Sequence, residues 1–255
     1  MILSPRHLLE QEHHDRQAQD RADYFEENQS KLVFRDEEYL DHESWIRPAF
    51  SLLGNLQGKQ VLDYGCGHGM ASVVLARQGA SVTGFDLSAE YVREAEARAE
   101  ANDVEIHFQQ ADAECLPFDD AVFDAVWGCA ILHHLDLDVA GRELARVLKP
   151  GGVGVFCEPW GENPLLNLAR RRLPYPGKDR TVDEHPLCRG DLLPLQKHFP
   201  KLEVRGYQFL GMIRRLFQRQ GQGGQFLDRW DDRLLSRFPR LEKFCRYVVI
   251  TISRC

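Results

Sequence analysis

A chain of 255 residues that is 43% hydrophobic and 10% aromatic can bury one good core. No stretch approaches the ~20 apolar residues of a membrane span, and the opening MILSPRHLLEQEHH lacks the apolar run of a secretory leader, so a cytoplasmic protein is expected. The net charge of −7 is uneven: residues 161–255 hold 19 Lys and Arg against 10 Asp and Glu, or +9, which leaves −16 for residues 1–160 and tells against nonspecific nucleic-acid binding by the whole chain.

Residues 1–57 read as a polar N-terminal helical cap, with aromatics at Tyr24, Phe25, Phe34, Tyr39, Trp45 and Phe50 laid against whatever follows. Within it EHHD, residues 12–15, has metal-ligand residue types, but neighbouring histidines on a polar helix are expected to be solvated, and no metal is expected. The seven cysteines form no CxxC pair and no zinc spacing, so they read as reduced thiols.

From residue 60 short β-rich runs alternate with helical patterns, which predicts βαβ units and a mostly parallel sheet. The strands are read at 60–64, 81–85, 104–110, 123–128 and 152–158. A helix over MASVVLARQ stops at Gly79, and the next starts at Ser88, a good N-cap. A third, VAGRELARVL, ends before KPGG, where Pro150 and two glycines predict a turn. Prolines 159, 164, 174, 176 and 186 then break residues 158–190, which are expected to form, together with the N-terminal helices, an irregular or helical substrate cover containing Trp160 and the run Arg170, Arg171, Arg172. Strands return at 202–209 and 246–253, with a helical insertion over 210–244 interrupted by the flexible GQGG. The expected whole is an α/β, Rossmann-like, seven-stranded mostly parallel sheet with helices on both faces, spanning 58–255.

The stretch VLDYGCGHGM, residues 61–70, ends a strand in a glycine turn that feeds a helix, the arrangement of a nucleotide-type site. Position 70 is Met, so the dinucleotide pattern G-x-G-x-x-G fails, and the phosphate loop G-x-x-x-x-G-K-[ST] is absent. The stretch resembles the first motif of class I S-adenosylmethionine-dependent methyltransferases, in which a hydrophobic strand and an acid precede G-x-G-x-G. Asp63, Gly65, Gly67 and Gly69 fill those places, with Tyr64 and Cys66 between them. The resemblance implies that Asp63 faces the cationic methionine portion of S-adenosyl-L-methionine. It further implies that Asp86, in GFDLS with Leu87, accepts from the ribose hydroxyls, and that Asp112 bonds the adenine amino group beside Ala113. FDAVWGCAILHHL and ELARVLKPGG resemble the family's fourth strand, its loop and the turn to the fifth, which adds Cys129 and His134 to the cofactor set. Quinone and sterol C-methyltransferases and many small-molecule enzymes share this core.

Methyl transfer from a sulfonium needs an aligned nucleophile and, for some acceptors, a base. Candidate bases are His133 and His134, Glu158 at the end of the fifth strand, and His185 with Asp183 and Glu184. The expected acceptor is a small, amphipathic or anionic molecule, and peripheral lipid contact fits the basic cover. The alternatives are a cofactor-binding protein that has lost turnover, or a protein or nucleic-acid methyltransferase. Against the last, GCAILHHL stands where nucleic-acid amino methyltransferases carry [DNS]-P-P-[YFW]. The product of the expected reaction is S-adenosyl-L-homocysteine.

Overall fold

The computed structural model describes residues 5–26, 31–172, 185–211 and 224–255. Seven strands form one sheet in the order β3-β2-β1-β4-β5-β7-β6. They are β1 Gln60–Tyr64, β2 Ser81–Asp86, β3 His107–Gln110, β4 Phe123–Cys129, β5 Leu148–Pro159, β6 Glu203–Tyr207 and β7 Tyr247–Ser253. The pairs from β3 through β5 are parallel, and β7 lies antiparallel between β5 and β6.

Successive residues of a strand point to opposite faces, and here both faces are covered. Leu62, Val126, Phe156 and Ile250 join one core with α6 Leu137–Val147 and α8 Leu193–His198. Their neighbours Val61, Trp127, Val155 and Val249 join the other, against α2 Asp36–Leu40, α3 Ile46–Ser51 and α4 Met70–Arg77. The helix α5 Ala89–Ala101 starts at Ser88, whose Oγ accepts from the Tyr91 N–H at 3.1 Å, and lays Val92, Ala95 and Ala99 beside Phe108. Gly79 follows α4 at φ +87°, a conformation that glycine adopts freely.

Three expectations change. Residues 31–57 lie against the sheet as their aromatics predict but separate from the rest of the expected cap: Trp45 and Phe50 are buried in the second core, and the Phe50 ring lies 4.3 Å from that of Trp127. What does lie apart is α1 Pro5–Glu26, which packs along α5. KPGG does not precede the fifth strand but lies inside it, where the register jumps from Phe123↔Leu148 to Ala125↔Val153 and Gly151 takes φ +78°. The bulge absorbs the extra residues that the sequence offers as a turn. Residues 104–106 precede β3 without joining it, since that edge strand has β2 alone as a neighbour.

The described part of 158–190 also departs from the expected cover. Glu158 and Trp160 have no exposed surface, and Leu187, which bridges to Trp160, is buried in the first core. Pro164–Arg172 forms a helix, α7, and α9 Gly224–Arg237 falls within the expected insertion. The remaining expectations at 173–184, including Asp183 and Glu184, and most of GMIRRLFQRQ lie outside the described residues. No described helix is long and apolar enough to cross a membrane.

Candidate functional site

A cavity of about 350 Å³ opens at the C-terminal ends of β1, β2 and β4, where the loops of a parallel sheet leave a crevice. Gly65, Gly67 and His68 form its floor, Asp86 ends β2 with Leu87 after it, and Asp112 and Ala113 follow β3. Cys129 ends β4, and Ala130, Ile131 and His134 follow it. The opposite wall is α1, through His7, Glu10, His14 and Arg21.

Asp86 organises the glycine turn. Its Oδ2 accepts from the Gly67 N–H at 2.9 Å and its Oδ1 from the Ser88 N–H at 3.0 Å. Burial raises the carboxyl above its ordinary value, against those amide bonds and the nearby His14. Gly67 has φ +48° with nothing within 4 Å of where a Cβ would stand, so its bare backbone borders open space. Gly69 differs: a Cβ there would come within 2.8 Å of the Ala95 Cβ. Its need for glycine is the approach of α4 to α5.

Asp63 lies behind the turn, 2% exposed, and its Oδ2 accepts from the Ser72 hydroxyl at 2.5 Å. Burial pushes its carboxyl up to about 7. Tyr64 donates to the Ala113 carbonyl at 2.7 Å from within the core, and Cys66 is buried beside α5. Asp63, Tyr64, Cys66 and Gly69, expected at the cofactor, therefore shape the turn without lining the cavity. The reason is geometric: alternate residues of a strand and its turn face the two cores, and sequence proximity to Gly67 does not decide which.

The candidate bases separate in the same way. Glu158 Oε1 accepts from the N–H groups of Ile131 and Leu132 at 2.9 and 2.8 Å, and its Oε2 lies 2.7 Å from His133 Nδ1. Glu158 is thereby committed to holding the turn after β4, and neither it nor His133, both expected as candidate bases, lines the cavity. His185 is a surface residue 3.7 Å from Asp191 and away from the cavity. Of the four, His134 lines the cavity.

The N-terminal helices are expected beside the acceptor pocket, but no motif singles out the residues by which α1 enters it. His7, Glu10, His14 and Arg21 recur at helical spacing on one face, and that recurrence was the available signal. His7 Nδ1 lies 3.3 Å from Asp112 Oδ2, and the His14 ring lies 5.7 Å from those of Tyr91 and His134. Thus the expectation that His13 and His14 are solvated is corrected: His13 is buried, and burial lowers the pKa of His14. Burial, reinforced by Arg21 and Arg98, likewise drives His68 down to about 3, so this imidazole is neutral. Among the described residues no cluster of His, Cys, Asp and Glu is arranged to hold a metal ion.

Residues 61–152 match the model of a methyltransferase domain. The chain is 36% identical over 136 residues to a fatty-acid O-methyltransferase of Mycolicibacterium smegmatis, covering 52% of this chain and 45% of that protein. It is 40% identical over 106 residues to a ubiquinone biosynthesis O-methyltransferase of Alkalilimnicola ehrlichii, covering 41% and 43%. The matches thus span less than half the length of these relatives. In fold the chain is similar to geranyl diphosphate C-methyltransferase from Streptomyces coelicolor A3(2), with a TM-score of 0.55, 19% identity and coverage of 82% and 79%. It is also similar to the [4+2]-cyclase SpnF, with a TM-score of 0.55, 23% identity and coverage of 83% of each chain.

Proposed function

We propose that this chain, whose residues 61–152 are a methyltransferase domain, is an S-adenosyl-L-methionine-dependent methyltransferase of a small molecule. The observation that carries the reading is the open space over Gly67 with the Asp86 carboxylate bonded to its N–H. A ligand can lie against that backbone, and Asp86 keeps acceptor capacity on both oxygens for ribose hydroxyls. Asp112 and Ala113 line the same cavity, in keeping with an adenine subsite, as do Leu87 and Cys129. Asp63 acts indirectly, through Ser72 and the shape of the turn.

When bound, the cofactor supplies an electrophilic methyl on a sulfonium whose bonding pair leaves with sulfur. The chain's residues then have two tasks. The walls exclude water and orient the acceptor, and His134 receives a proton from an acceptor heteroatom. In this reading α1 is the cap, and 210–244 is an insertion between the last two strands. The seven cysteines, all free thiols, suit a reducing cytoplasm.

The acceptor we favour is amphipathic or anionic. Relatives named for a fatty acid and for ubiquinone biosynthesis support this, as do the exposed Leu165 and Leu168 of α7 next to three arginines. The likeness to a cyclase keeps a second reading in view, in which the site binds the cofactor without methyl transfer.

Calorimetry with S-adenosylmethionine and S-adenosylhomocysteine tests the cofactor, with one site per chain expected and NAD giving no heat. Asp86→Ala should weaken binding by about 1.5–3 kcal/mol, the worth of two hydrogen bonds to a carboxylate. Binding of NAD in place of the sulfur ligands would overturn the reading. Labelled methyl transfer to a panel of fatty acids and prenylated phenols then separates the catalytic reading from simple binding.

A further inference from the structure

The backbone that carries His134 and the ring of His134 are approached by carboxylates from two different elements. Glu158 of β5 fixes the backbone, since its Oε1 accepts the amides of Ile131 and Leu132, while its Oε2 is taken by His133. The His134 ring leans on that of His133, with centroids 4.1 Å apart. Its Nδ1 is buried and has no hydrogen-bond partner among the described residues. The carboxylate facing it comes from α1: Glu10 Oε1 lies 3.5 Å from His134 Nδ1. Both side chains are about nine-tenths buried, at 10% and 12% exposure, so water is a poor substitute for either.

We propose that Glu10 is a positioning residue for His134. It accepts a hydrogen bond from Nδ1–H when the helix closes by a few tenths of an ångström, which fixes the tautomer and leaves the Nε2 lone pair free. This deepens the methyltransferase reading and rests on it for its purpose. A neutral imidazole holds one proton, and the bond made by one nitrogen decides what the other can do. With the proton on Nδ1, Nε2 can take a proton from an acceptor heteroatom. The resulting imidazolium is then stabilised by the carboxylate that oriented it, the logic of a base with an orienting acid. Hydrogen bonds of this kind are often long in an empty site and shorten in the working complex.

Glu10 lies four residues before His14, whose Nδ1 is also buried without a hydrogen-bond partner among the described residues. Spacing of four places them on one helical face. The N-terminal helix therefore brings both a carboxylate and an imidazole up to His134.

The tautomer can be read without knowing the acceptor. Long-range proton–nitrogen spectra of imidazole-labelled protein, recorded about two pH units above the ordinary histidine value, distinguish Nδ1–H from Nε2–H. The His134 signal is identified by its loss in His134→Gln. Wild type should carry the proton on Nδ1, both alone and with S-adenosylhomocysteine. Glu10→Gln keeps an acceptor oxygen and should retain that signature, whereas Glu10→Leu should lose it in favour of Nε2–H. An Nε2–H signature in wild type overturns the proposal whether or not the leucine variant folds, and so does an unchanged spectrum in a folded Glu10→Leu. Calorimetry on the same wild-type sample reports separately on the cofactor: no heat with S-adenosylhomocysteine sinks the functional reading and leaves the tautomer result to stand or fall alone.

Discussion

Two glycines two residues apart do different work, and the difference is measurable. Alanine at Gly67 meets only the cost of a left-handed backbone, about 1–2 kcal/mol, but puts a methyl into the space proposed for ligand. Alanine at Gly69, at φ +79°, adds overlap with Ala95 to the same strain, for a loss of about 2–5 kcal/mol. Urea titration should therefore rank Gly69→Ala well below Gly67→Ala in stability, while calorimetry with S-adenosylhomocysteine should show the larger relative loss in Gly67→Ala. The reverse ranking would mean that the cavity floor is misassigned. Asp63 offers a second residue-scale test. Its folded carboxyl sits at about 7 against 3.8 for the free side chain, so between those values the unfolded chain has released a proton that the folded chain keeps. Stability then falls as pH rises through that window, by up to about 4 kcal/mol from this group. Asp63→Asn preserves an acceptor for Ser72 and removes the titration, so the variant should gain on wild type between pH 4 and 7 in thermal melts. A constant difference across that range would exclude the buried carboxyl as its source.

At the scale of elements, α1 is the outlier. Ala18 is its buried hydrophobic residue among those whose side chains are described, while Leu8 and Leu9 face solvent. What holds it is polar: Arg6 on Glu114, Arg21 on Glu94 at 2.6 Å, Ser88 on Asp15 at 2.5 Å and Tyr91 on Gln17 at 3.2 Å. In both ion pairs the arginine is 36% exposed, so salt screens them in part. Amides of α1 should therefore exchange at least tenfold faster than those of β1, faster still in 1 M salt, and slower with S-adenosylhomocysteine bound. Exchange of α1 at the rate of β1 would contradict this. The same property explains what could be read in advance. The strands carry apolar residues on both faces and glycines at their ends, a pattern set by burial, and β1 is found at its expected bounds, 60–64. An inner face made of His, Glu and Arg carries no such signature. It reads as solvated, and only tertiary contact turns it into a wall.

For the molecule as a whole, the departure from the expected plan lies after β5. Prolines and lost periodicity suggested a loose cover over 158–190, but hydrogen bonds between chain segments can order an aperiodic stretch as firmly as a helix does. Trp160 N–H donates to the Arg246 carbonyl at 2.9 Å and Leu187 N–H to the Pro159 carbonyl at 3.1 Å, which ties the described residues on either side of 173–184 to β5 and the start of β7. The Trp160 side chain, with no exposed surface, completes the first core beside Leu187 and Leu192. Sequence pattern reports the period of a regular element and is silent on such cross-links. The consequence is a division between the body, held by apolar burial, and the N-terminal wall, held by polar contacts. Truncating Trp160 to alanine should cost about 3–5 kcal/mol through the cavity it leaves, whereas Arg21→Ala, which breaks a partly exposed ion pair, should cost at most about 1 kcal/mol. Urea midpoints of the two variants measure both. If Trp160→Ala unfolds like wild type while acceptor turnover is lost, the residue belongs to a cover after all, and the body ends at β5. If Arg21→Ala loses as much as Trp160→Ala, the wall is part of the cooperative unit, and α1 cannot open without unfolding the sheet beneath it.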